Sequence, residues 1–170
     1  MRVLISVIIL LLIGCSGETA NEKTASLYDK IYDLQSRQLD CINDYTPQHG
    51  KVIDGTIFRV FDEAMTNIRY NREEADHWQT SNETEMLKTG DCEDIAVYLV
   101  NAFRQAGFPD SQIGCIIAEH PDVDDLHVFA FAGDYWVMDS VSGIQPGSFM
   151  FGPVGWKKKV GFNFFEVWDY

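Results

Sequence analysis

Thr89-Gly90-Asp91-Cys92-Glu93-Asp94-Ile95-Ala96 sets a thiol between carboxylates, directly after a glycine, where an apolar-periodic helix begins. Gly90 supplies a permissive backbone ahead of that helix. Asp91 suits its N-cap, and Ile95, Ala96, Leu99 and Phe103 recur at helical period as its buried stripe. Gly107 ends it, with Pro109 just beyond. Further along, His127 lies inside the strand-like run Leu126-His127-Val128-Phe129-Ala130-Phe131. Asp139 closes a second run, Tyr135-Trp136-Val137-Met138-Asp139. A cysteine, a histidine and an aspartate in these settings are a candidate nucleophile, its base and the base's orienter.

The thiolate is the attacking form, and an ordinary thiol is little ionised at neutral pH. The first turn of a helix offers Cys92 the positive end of the macrodipole, and an imidazolium at His127 would add to it. Asp91, Glu93 and Asp94 pull the other way, because nearby negative charge raises a thiol's pKa. Helix capping and the dipole account for these acids without any cation. A hard cation such as calcium, which takes oxygen ligands, would relieve their repulsion of a thiolate.

Side chains on a strand alternate faces, so His127 and Asp139 share a face for only one parity of pairing. A two-residue loop at Gly133-Asp134 puts them on opposite faces, whereas a three-residue loop of Ala132-Gly133-Asp134 sets them directly across. The triad therefore demands an odd-length loop, or a bulge that restores parity.

The chain of 170 residues carries a formal charge of -13, which excludes nucleic acid as a natural partner. Its basic run, Lys157-Lys158-Lys159, reads as a solvated hairpin or loop. Met1-Arg2 followed by an apolar run over residues 3–13 has the form of a signal peptide. An exported compartment permits disulfides. Cys41 and Cys115 are then either a disulfide pair or two small buried apolar residues.

Ser26 reads as the N-cap of a first helix carrying Leu27, Ile31, Leu34 and Leu39. Ile57, Val60, Phe61, Ala64, Met65 and Ile68 form the stripe of a second, and Ser81 or Asn82 starts a short third one reaching Leu87. Residues 76–81 read as a loop. Strands follow over residues 112–118, 126–132 and 135–139, with another one or two over residues 160–168 after a Gly- and Pro-rich stretch. Helices first and antiparallel strands after predict an α+β domain, with the nucleophile helix packed on an antiparallel sheet. Trp78 reads as aromatic core, and His49, His77 and His120 have no metal-ligand spacing.

Several of these pieces together resemble one family. Asn67-Ile68-Arg69-Tyr70, Asp76-His77-Trp78, Gly90-Asp91-Cys92-Glu93-Asp94, His127-Val128 and Met138-Asp139 are similar to motifs of the bacterial transglutaminase-like cysteine peptidases, on the papain-like fold. The resemblance spans about half the chain. It implies Cys92 as nucleophile, His127 as general base and Asp139 as orienter. Some members are calcium-dependent periplasmic proteases that cut surface adhesins, with the flanking acids as ligands; those acids match Asp91 and Glu93. Where the family has Thr-Pro, this chain has Thr80-Ser81, and an adhesin substrate does not carry over.

Leu12-Ile13-Gly14-Cys15 resembles the lipobox of bacterial lipoproteins, which implies a lipid on Cys15. Ser16 after it implies outer-membrane sorting, facing the periplasm. The organisation expected is a signal peptide over residues 1–14, a lipidated tether over 15–25 and a peptidase domain over 26–170. A main-chain N–H at Cys92 and a side chain of the Trp78-Gln79 loop, Gln79 being the candidate, are the expected oxyanion donors. The expected activity is hydrolysis of a peptide or isopeptide bond in a protein of the cell envelope, through a thioester. Acyl transfer to an amine by the same triad, or a tethered binding module without turnover, are the alternatives.

Overall fold

In the computed structural model the described residues are 20–42, 54–72, 77–133, 136–138, 147–148 and 155–170. Helix α4 (Cys92–Gln105) packs on the centre of an antiparallel sheet, against β3 (Ile113–His120) and β4 (Val123–Ala132). Ile95, Ala96, Leu99 and Phe103 are buried as their spacing predicts, but so are Val97 and Val100. The extra burial arises because α2 (Asp54–Asn67) and α3 (Ser81–Leu87) pack on α4 as well. A helix covered on several sides has no wide polar face.

The six-stranded sheet runs β6 (Gly147–Ser148), β5 (Trp136–Met138), β4, β3, β7 (Lys157–Phe162), β8 (Val167–Asp169). All its described pairs are antiparallel. Val128, Ala130 and Ala132 join the core under α4, together with Ile113, Cys115 and Ile117. Phe129 and Ala118 instead form a small second cluster with Trp156. A short parallel pair joins β1 (Arg69–Tyr70) to β2 (Thr89–Gly90), so the stretch after α2 lies beside the stretch before Cys92.

Helix α1 (Ala20–Ile42) begins ahead of the expected N-cap Ser26, so part of the stretch read as a tether is helical. It buries Ile31 and Leu34 and fastens two distant turns with amides. Gln35 donates to the Asn163 carbonyl at 2.7 Å, and Gln38 donates to the Ser81 hydroxyl at 2.6 Å while accepting the Ser81 N–H at 2.8 Å. The N-cap of α3 is Thr80, one residue before the expected start, in a capping box with Glu83.

Lys157, Lys158 and Lys159 sit in β7, which pairs with β8 as a hairpin, the first of the two expected settings; Lys159 pairs with Glu119 at 2.8 Å, and Lys158 lies over the Tyr170 ring. One further expectation is corrected. Cys41 and Cys115 form no disulfide. Cys41 is exposed on α1 with its sulfur on the Arg37 carbonyl, whereas Cys115 is buried on the core face of β3. Of the two alternatives, Cys115 is the small core residue and Cys41 is neither. Among the described residues no helix is long and apolar enough to cross a membrane. Cys15 lies outside the described residues.

Candidate active site

Asp91 is the N-cap of α4 and Cys92 its first residue, half-buried against the core. Asp94, in the first turn, knits this corner together. Its two carboxylate oxygens accept the main-chain N–H of Gln79 at 2.7 Å and that of Asp91 at 3.2 Å. Gly90 does not adopt a left-handed conformation. It is needed because a Cβ there would lie 2.5 Å from the Asp94 Cβ. Close approach, not backbone freedom, is thus its role.

The Cys92 thiol donates to Glu93 at 3.1 Å. Burial pushes the thiol pKa well up; the Glu93 charge and hydrogen bond and the Asp91 charge add to that, while the main chain of Val128 works the other way. The expected help from the helix dipole is therefore outweighed. Burial also drives Glu93 up to about 8, assisted by its hydrogen bond with Asp91 and by the Asp91 charge. Oxygens of Asp91, Glu93 and Asp94 all lie within 4.8 Å of one another. This donor set, three carboxylates and no soft ligand, fits a hard cation. With both Asp94 oxygens already taken by N–H groups, Asp91 and Glu93 are the better donors.

His127 lies on β4 opposite Ala118, on the strand against which α4 packs. Its ring meets Phe129 edge-on at 4.6 Å between centroids and Trp156 at 5.3 Å. Asp139 lies outside the described residues. The hairpin leading to it pairs Ala132 with Trp136 and Ala130 with Met138. This register has the odd parity that the triad demands, one position later than the expected Ala132-Gly133-Asp134 connection implies.

Gln79 is buried, its side-chain oxygen accepting the Thr84 hydroxyl at 3.2 Å and its N–H held by Asp94. Trp78 is core, stacked on Phe162. His77 is exposed. The sequence reading missed two neighbours. Asp94 was assigned only a dipole role, although the spacing of Asp91 and Asp94 is that of a capping box. Tyr70 is brought beside Gly90 by the β1–β2 pairing; burial raises its phenol pKa first, and the charges of Cys92 and Asp91 add to it. Arg72, two residues on, pairs with Asp125 at 2.8 Å, close in sequence to His127.

The fold that holds this site recurs in solved structures. LapG of Legionella pneumophila in its calcium-bound form superposes with a TM-score of 0.61 at 18% identity, covering 87% of this chain and 86% of that one. A second LapG structure gives 0.62 at 19%, with 86% and 84% covered. EGTA-treated LapG gives 0.62 at 18%, with 87% and 82% covered. The fold is that of LapG. It is a mixed, papain- and transglutaminase-like architecture with a helix packed on an antiparallel sheet, as the sequence predicts. No family model matches the chain, and no curated protein matches it. The likeness to LapG is thus one of structure over most of both chains.

Proposed function

We propose that this chain is a cysteine hydrolase of the cell envelope, acting on a peptide or isopeptide bond through a thioester at Cys92. The observation that carries the reading is the place of Cys92, first residue of a helix packed on the strand that bears His127. That sets the nucleophile against the strand of His127, where the base must be.

His127 takes the thiol proton, the sulfur attacks the carbonyl carbon, and the imidazolium returns the proton to the leaving amine. His127 then takes a proton from water as it attacks the thioester, releasing the acid and restoring the thiol. Asp139 holds the second ring nitrogen. The Cys92 N–H, at the first turn of α4, and the Gln79 amide would serve as the oxyanion donors.

Asp91 and Glu93 would hold calcium, the ion bound in one LapG structure. Its charge would offset the carboxylates that otherwise suppress the thiolate. Lipidation at Cys15 would tether the domain to the outer membrane, facing the periplasm, with envelope proteins or peptides as substrates. The raised thiol pKa favours one rival, a tethered binding module without turnover.

Nitrophenyl acetate separates the two. A hydrolase gives a burst of nitrophenol in calcium, with acetyl mapped to Cys92 by mass spectrometry. No burst and no acetyl-Cys92 would favour the module.

A further inference from the structure

Trp156 enters the second aromatic cluster from the turn before β7 and is half-buried between two imidazoles. Its centroid lies 5.3 Å from that of His127, 5.2 Å from that of His120 and 5.3 Å from that of Phe129. The seat is built. Gly155 has φ +90°, and a Cβ on it would fall 2.4 Å from the His120 Nε2. His120 is itself fixed, its Nδ1 accepting the Asp122 N–H at 3.2 Å. A glycine in a left-handed turn, against a held imidazole, thus delivers the indole to His127.

We propose that Trp156 is a positioning residue for His127, clamping the imidazole against Phe129 so that it faces the nucleophile in one orientation. The proposal rests on the reading of His127 as the base of Cys92. The physical basis is twofold. An edge contact at 4.6 Å from Phe129 and the indole on another side leave the ring little rotational freedom. The indole face also attracts a cation, which favours the imidazolium that must partner a thiolate. Neither effect requires Trp156 to touch substrate.

The test is the rate at which iodoacetamide alkylates Cys92, followed by mass spectrometry at one pH and one calcium concentration, in the Cys41→Ser background. Trp156→Leu is expected to slow alkylation roughly tenfold, and Trp156→Phe to stay within about threefold of the parent. Placed in His127→Gln, Trp156→Leu should add nothing, because its effect acts through that ring. Should Trp156→Leu not fold, Gly155→Ala, which disturbs the seat while keeping the indole, should slow the reaction in the same non-additive way.

If His127→Gln slows alkylation but Trp156→Leu or Gly155→Ala does not, the positioning role is overturned while the base stands. Equal slowing with and without His127 would make Trp156 an ordinary structural residue, which also overturns it. If His127→Gln itself changes nothing, the base reading fails and the positioning role falls with it.

Discussion

The Cys92 thiol donates its hydrogen to Glu93, the carboxylate next to it in sequence, at 3.1 Å. Nucleophile and acid are therefore coupled: a charge on Glu93 keeps the proton on sulfur. Glu93→Gln removes the charge and keeps the shape. In chelator above about pH 8, where Glu93 carries its charge, its Cys92 should alkylate roughly tenfold faster than in the parent, the effect of about one pKa unit. Adding calcium should accelerate the parent and leave Glu93→Gln nearly unchanged. Equal rates for both proteins in chelator would show that Glu93 does not govern the thiol.

The same carboxyl gives a pH-dependent stability. In the folded chain Glu93 titrates at about 8, against an ordinary value of 4.5. Between those values the folded state holds a proton that the unfolded state has lost, so unfolding becomes easier as pH rises. The stabilisation is complete below the ordinary value and lost through pH 8. Urea unfolding in chelator should show stability falling by roughly 1 kcal/mol per pH unit across this window. Glu93→Gln should flatten the slope; an unchanged slope would assign it elsewhere.

Asp94 joins the loop at Gln79 to the helix start at Asp91, and it is buried. Asp94→Ala deletes two charge-assisted hydrogen bonds and strands two N–H donors, which should cost roughly 3 kcal/mol of unfolding free energy. Asp94→Asn should cost less, since one oxygen still accepts. A loss below about 1 kcal/mol for Asp94→Ala would mean that water replaces the carboxylate.

Cys41 and Cys115 are separate thiols, one exposed and one in the core. Denatured protein kept from reduction should therefore take alkylating label at both. Cys41→Ser should leave the melting temperature unaltered, while Cys115→Ser puts a hydroxyl into the core and should lower it by several degrees, reflecting roughly 1–3 kcal/mol. A mass two protons lighter in the oxidised protein would restore the disulfide.

How much was legible depended on whether the signal was local. The stripe of Ile57, Val60, Phe61 and Ala64 and the cap before Cys92 are read within a helix's own few turns. The hairpin parity was legible too, because strand alternation makes it arithmetic. The sheet order was not: β7 flanks β3 through a pairing with a distant segment, which leaves no periodic trace. Three lysines hid the start of β7, since the charges of Lys157 and Lys159 are answered by Glu119 on β3. Tyr70 and Trp156 went unread for the same reason, reaching the site only through β1–β2 pairing and through a turn seated on His120.

The central claim is that Cys92 is armed by His127, and one measurement tests it most directly. Iodoacetamide labelling of Cys92 would be titrated against pH with saturating calcium, in the parent and in His127→Gln. The parent should react well below the pH at which a free thiol ionises, and His127→Gln should move the profile up by about one unit or more. A parent profile like that of a free thiol, or one indifferent to His127, would contradict it.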